Sequence, residues 1–368
     1  MKLKELTGVL DEIAPLSLAE EWDNVGLLAG DPDQTIKRIL LTIDLTAAVL
    51  AEARAGKTDL ILAYHPPIFS PIKKIVAGKG TSPLLYETVR AGIAVYAFHT
   101  ALDVVKGGIN DLLADIVGIQ DAAPLQPAKT QTGKLCKLVV YLPEGDLEKV
   151  SHAIFTAGVG HIGNYRKCSF RTGGTGTFQG DAETSPTIGK PNQFTETPEL
   201  RLETILPVEI LGQVAAAMLD AHSYEEVAYD VFPILSAPAG TGIGRVGNLK
   251  TPISVPHLVE RIKKSLKIKT AGLIGPPRGQ VKRAAVGAGS CGSLLQQVIV
   301  QECDFYLTGE LKHHFALELA HAGVTTLCVG HWHSERPILA PLAKNLRSRC
   351  PNLHIKTSSK DRDPFTWR

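Results

Sequence analysis

The segment Ile36-Lys37-Arg38, followed by Asp59-Leu-Ile-Leu-Ala, returns 245 positions later as Val281-Lys282-Arg283, followed by Asp304-Phe-Tyr-Leu-Thr. One spacing held across two separated stretches means that each copy builds the same supersecondary unit, and a repeat this long is not a solenoid. Each copy reads strand, helix, strand, loop, helix, strand, the order of βαβ architecture with a mostly parallel sheet. By Gly92 and Gly323 the spacing has fallen to 231, which predicts a shorter loop after the second strand of the later copy. Both glycines open an apolar run that ends in His-x-x-x-acid, as His99 to Asp103 and as His331 to Glu335. Open α/β sheets place ligands where strands give out into loops. Two copies related by a pseudo-twofold turn those strand ends toward one cleft. The fold class expected is α/β, with two related α/β halves forming one metal-binding domain.

The halves are not contiguous. A Pro/Ala/Thr-rich stretch from Asp121 leads into the apolar strand Leu135-Cys-Lys-Leu-Val-Val-Tyr-Leu and then a helix from Leu147 closed by Gly158. Arg201-Leu-Glu-Thr-Ile-Leu alternates as a strand, Glu209 to Ala221 reads as a helix, and Tyr229-Asp-Val-Phe-Pro-Ile ends the segment with a strand. Strand-helix-strand twice in succession is a ferredoxin-like α+β pattern. The expected organisation is an N-terminal half at 1–132, an inserted module at 133–236 and a C-terminal half at 237–368. Within the module, Gly173 to Asn192 is rich in Gly, Thr and Pro and reads as a long exposed loop. Neither Gly173-Gly-Thr-Gly nor Gly240-Thr-Gly-Ile-Gly has phosphate-loop spacing, so both are assigned to turns and linkers.

A formal net charge of +2 over 368 residues, with no Lys/Arg run interleaved with aromatics, gives nucleic-acid binding no support. The N-terminus reads as a short amphipathic helix containing acids, with neither a signal-peptide core nor a membrane span, so a cytoplasmic protein is expected. Six scattered cysteines without a C-x-x-C are expected to be reduced and mostly buried, Cys328 above all.

Seven nitrogen and oxygen donors fall at predicted strand ends: His65, His99, Asp103, Glu310, His331, His333 and Glu335. His65 precedes Pro66-Pro67, which stiffen its loop, and Glu310 is its counterpart at the repeat spacing. Imidazoles and carboxylates without thiolate suit zinc, iron or manganese, and seven are enough for two cations bridged by a carboxylate.

Several spaced motifs in register carry a family resemblance: Trp22-Asp23-Asn24, Tyr64-His65-Pro66-Pro67, His99 to Asp103 with Gly107-Gly-Ile-Asn110-Asp111, Thr308-Gly-Glu310 with His313-His314, and Gly330-His331 to Glu335. Together they resemble the Nif-three-like family, the GTP cyclohydrolase I type 2 homologues, in the long bacterial form whose insert looks like a PII/CutA module. The resemblance implies a dinuclear metal site in a toroidal homohexamer, with His65, Asp103, His331 and Glu335 as ligands and Glu335 as the bridge. Tyr64 stands where many members have a ligating histidine, which predicts one weaker cation. Two functions follow. One is a metal-dependent hydrolase of a nucleotide or phosphoester, with His99, Glu310 and His333 moving protons around a metal-activated water. The other is a non-enzymatic metal-handling or regulatory scaffold whose insert senses a small ligand.

Overall fold

The structure, a computed structural model, describes residues 1–78, 81–128, 135–163, 165–234 and 240–366. The chain divides into two compact units, Met1–Ala128 together with Ala239–Arg368, and Lys129–Pro238.

The first unit is mixed α/β with two sheets. Its strands are, in chain order, β1 (Gly26–Ala29), β2 (Arg38–Thr42), β3 (Leu60–Ala63), β4 (Ala94–Ala97) and β5 (Ile119–Pro127). The inserted unit holds β6 (Leu135–Leu142), β7 (Ser169–Phe178), β8 (Thr195–Pro207) and β9 (Tyr229–Pro233). The first unit resumes with β10 (Gly242–Ser254), β11 (Gly272–Ile274), β12 (Gln280–Gly287), β13 (Phe305–Thr308), β14 (Thr325–Cys328) and β15 (His354–Thr357).

The repeat is built twice. Parallel strands β2, β3 and β4 centre one sheet, and parallel strands β12, β13 and β14 centre the other. β3, β4 and β13 are buried along their whole length, as parallel strands covered on both faces must be, which is why they read as unbroken apolar runs. The copies also share a tie. Asp59 accepts the backbone N–H groups of Lys37 and Arg38 at 2.8 and 2.7 Å, and Asp304 those of Lys282 and Arg283 at 2.8 and 2.9 Å. Each acid therefore pins the strand that precedes its own, at the start of β2 and within the first half of β12.

Each half also lends a strand to the other's sheet. β15, near the C-terminus, lies parallel to β2 in the order β1-β4-β3-β2-β15. β5 crosses over to pair antiparallel with β10 in the order β11-β14-β13-β12-β10-β5. One hydrophobic cluster joins Leu62 and Phe98 of the first copy to Leu307 and Val329 of the second, so the two sets of strand ends share a core.

In the inserted unit four antiparallel strands lie in the order β7-β8-β6-β9. Helices Leu147–Thr156 and Leu211–Ala221 bury Val150, Ile154, Val214 and Met218 with Leu138, Val140, Leu202 and Leu206 of the sheet. The loop expected from Gly173 begins later. Residues Ser169 to Phe178 are strand, paired residue for residue with Thr195 to Thr204, because ladder hydrogen bonds compensate the poor strand propensity of three glycines. Cys136, Cys303 and Cys350 are buried, whereas Cys328 is only half-buried. Among the described residues no helix is long and apolar enough to cross a membrane.

Candidate metal centre

The ends of β2, β3 and β4 meet those of β12, β13 and β14 at one place. His65 follows β3 and donates its backbone N–H to Ile43 O at 3.0 Å, which sets it beside Asp44 just past β2. His99 follows β4 and donates its N–H to Tyr64 O at 2.9 Å. In the other copy it is Gly330, not His331, that makes the matching bond, to Gly309 O at 2.8 Å. The two His-x-x-x-acid motifs are thus one residue out of step. His331 opens a short helix, His331–Glu335, whose single turn places its own acid back over it.

The centre is a chain of alternating carboxylates and imidazoles. His65 Nδ1 lies 2.9 Å from Asp44 Oδ1, and its Nε2 lies 3.2 Å from Glu335 Oε2. His331 mirrors it, with Nε2 3.1 Å from Glu335 Oε1 and Nδ1 3.0 Å from Glu310 Oε1. Outer carboxylates on both Nδ1 atoms fix the rings so that both Nε2 atoms face Glu335, the arrangement that orients metal-binding histidines. Donor atoms of His65, His331 and Glu335 all lie within 4.8 Å of one another. Glu335 is 3% exposed, and its Oε2 meets no hydrogen bond of proper geometry among the described residues. A buried carboxylate oxygen left so is costly without a further partner. Gly289 supplies the cradle: a Cβ there would lie 2.6 Å from Glu335 Oε1 and 3.3 Å from His331 Nε2. Donor type, burial, convergence and the unmet oxygen all fit a divalent cation.

Without a cation, protons hold the charge balance. Burial pulls the His65 pKa down, but the Asp44 and Glu335 carboxylates outweigh it and push it up to about 10. Glu335 does the same for His331, raising it to about 9 against its burial. Burial would lift Glu335, yet the two imidazoles hold it below the ordinary carboxylate range.

Asp103 stands apart from this triad. Its Oδ1 accepts the Tyr64 phenol, and Asn110 Nδ2 donates to its carbonyl at 2.9 Å. Burial pushes the Asp103 carboxyl up to about 7 and the Tyr64 phenol well above its ordinary value. Of the four residues carried over as ligands, His65, His331 and Glu335 converge, and Asp103 is engaged by Tyr64.

His99 sits at φ 35 and ψ −118, a strained backbone for a side chain with a Cβ. Asp23 over-determines it: the carboxylate lies 2.8 Å from His99 Nδ1 and accepts Thr100 Oγ1 at 2.5 Å and Thr100 N at 3.1 Å. Burial would raise Asp23, but these bonds lower it. The His99 ring stands 5.3 Å from His65, with exposed Trp22 and Phe69 rings 5.8 and 6.3 Å away. Glu310, expected to move protons, lies with Oε1 3.0 Å from His331 Nδ1. His333 turns toward Asp363 at 3.2 Å and is not part of the triad. Sequence reading missed Asp44 and Gly289. The signal was present, since an acid directly after a buried strand and a glycine lie 245 positions apart at matching strand ends.

An α/β protein whose two repeat halves each send a histidine to one buried glutamate is what fold and site define. The chain belongs to the Duf34/NIF3 (NGG1p interacting factor 3) family, whose pattern matches residues 1–364. It is 34% identical over 368 residues to a Bacillus subtilis protein described as a GTP cyclohydrolase 1 type 2 homolog, covering 99% of this chain and 98% of the relative. A Mycobacterium bovis protein of the same description is 36% identical over 369 residues, with 99% and 97% coverage. A solved Bacillus cereus protein related to NIF3 superposes with a TM-score of 0.78 at 33% identity, covering 100% of this chain and 99% of that one. A Staphylococcus aureus structure at 24% identity shares the fold, with a TM-score of 0.83 and the same coverage.

Proposed function

We propose that the chain holds a divalent cation between His65, His331 and Glu335 and hydrolyses a small nucleotide or phosphoester beside it. The observation that carries this reading is the buried Glu335 carboxylate, faced by an Nε2 atom from each half and left with an unmet oxygen. Zinc, iron or manganese suits the donors, and when bound such an ion supplies Lewis acidity that activates water for attack. Asp44 and Glu310 keep the two imidazoles aimed. His99, held by Asp23 through Nδ1, leaves Nε2 as the atom that would accept and return a proton, and Trp22 and Phe69 beside it offer flat faces to a planar ring. The description of the relatives supports a nucleotide. The inserted unit, with two strand-helix-strand passes in one antiparallel sheet, is taken as a ferredoxin-like module.

Elemental analysis of the purified protein, followed by a nucleotide and phosphoester screen, tests the reading. Expected are a bound divalent cation and a hydrolysis that disappears on chelation. Turnover of no substrate by a metal-loaded chain would favour the metal-handling scaffold instead.

Binding should also release protons. At pH 7 both imidazoles of the metal-free protein are protonated, so a cation must displace a proton from each Nε2. Apparent affinity is expected to rise up to about 100-fold per pH unit between pH 6 and 8, about tenfold per proton. Titration calorimetry in buffers of different ionisation enthalpy counts those protons, and a count of zero contradicts the site.

Of two cations, the tighter was expected on His65, Asp103 and Glu335 and the weaker on His331 and Glu335, but Asp103 is engaged by the Tyr64 phenol. Wild-type protein should hold about one tight cation per chain, and Tyr64→His should raise that number by replacing a poor ligand with a good one. An unchanged stoichiometry would show that Tyr64 is not what closes the position.

A further inference from the structure

β7 ends at Phe178 and β8 begins at Thr195. The chain between them does not trail into solvent. Asn192 N binds Gly180 O at 2.7 Å, closing the loop on itself. Thr187 Oγ1 donates to Ser223 O at 2.7 Å and Ser185 N to Glu225 Oε2 at 2.8 Å, tying the loop to the segment before β9. The loop thereby roofs a cavity of about 370 Å³, a size typical of small-molecule sites.

The lining has one sign of charge. Glu199, Glu225 and Glu226 face the cavity, and among the described residues no Lys, Arg or His does. Glu199 Oε1 accepts the Tyr224 phenol at 2.9 Å, and Gly176 lies so close that a Cβ there would collide with the carboxylate. Glu226 has no hydrogen bond or ion pair among the described residues. The remaining wall is apolar and aromatic, from Phe178, Pro186, Ile188 and Tyr224. Three carboxylates converging on a partly enclosed apolar space repel one another and repel any anion. A bare metal ion would leave the apolar wall against water. An organic cation answers both features, since its charge meets the carboxylates, its carbon body covers the wall, and the faces of Phe178 and Tyr224 attract it further.

We propose that the inserted unit binds a small organic cation, an alkylammonium or guanidinium compound with an apolar body, between the 179–194 loop and Tyr224 to Ala228. The site shares no residue with the metal centre, and its test is independent of that reading.

Titration calorimetry of the full chain at physiological salt, with agmatine, putrescine and phenethylamine as probes and calcium chloride and citrate as controls, decides it. At least one amine is expected to bind at one equivalent per chain, unaffected by EDTA. Glu226→Gln, at an exposed position that tolerates the change, and Glu199→Gln should each weaken it by about tenfold or more, the usual worth of a hydrogen bond to a charged group. Phe178→Ala should weaken phenethylamine most. Three results overturn the proposal: no binding of any of the three amines at millimolar concentration, binding of calcium or citrate in their place, or amine binding that both Glu→Gln variants leave unchanged.

Discussion

Glu335→Ala should abolish cation binding, lowering affinity by at least about 100-fold, because even the loss of a residue that only orients a ligand costs roughly 10–100-fold. Glu335 is the one residue that both histidines face, and the repeat supplies no second acid on that spot: its counterpart at the 231 spacing is Val104. The substitution also removes the counter-charge between two imidazoles whose rings stand 5.4 Å apart. Stability of the metal-free protein should fall by about 1–3 kcal/mol, less than the roughly 3–5 kcal/mol of a fully buried pair because both rings reach solvent.

The pH dependence follows from the same three groups. The depressed Glu335 contributes stability above the ordinary carboxylate pKa, lost as pH falls through its lower folded value. The raised His65 and His331 contribute stability below the ordinary imidazole pKa, lost as pH rises through about 9 to 10. Metal-free protein should therefore be most stable between these limits, and Glu335→Ala should flatten the profile. Metal retention within about fivefold of wild type by Glu335→Ala would sink the assignment.

Much of this centre was legible because strand ends are legible. Asp59-Leu-Ile-Leu-Ala and Asp304-Phe-Tyr-Leu-Thr announce buried parallel strands, and the donors that follow them, His65 and Glu310, can go nowhere but the sheet's edge. What the repeat could not show was register. His99 and His331 look equivalent in sequence, yet the backbone pairs His99 with Gly330, and the single-residue slip turns His331 and Glu335 inward while Asp103 meets Tyr64. Nor could a local pattern reveal β5 and β15 exchanged between the sheets, since that pairing is set by the shared core. β7 was hidden by its glycines, whose strand is imposed by β8 rather than by propensity. Orienting groups were the hardest to see. Asp44 and Asp23 reach the centre through histidines 21 and 76 residues away, and only the repeat spacing marks the first of them.

Gly289→Ala should damage the centre without removing any donor. Gly289 has φ +66, and its neighbours leave it no room to retreat: its N–H is fixed on Ser334 Oγ at 2.8 Å and its carbonyl accepts Glu310 N at 3.1 Å. The added methyl would lie 2.6 Å from Glu335 Oε1, closer than such contacts occur, so the carboxylate must move off the line between the two imidazoles. Metal affinity is expected to drop by at least about tenfold, and stability by about 1–3 kcal/mol from the left-handed backbone and the overpacking together. Gly323→Ala is the matched control. It shares the left-handed conformation at φ +77 but meets nothing within 4 Å, so it should cost about 1–2 kcal/mol of stability and leave metal affinity intact. If both variants keep full affinity, or lose it equally, then contact with Glu335 is not what requires a glycine at position 289, and the carboxylate has more freedom than its burial implies.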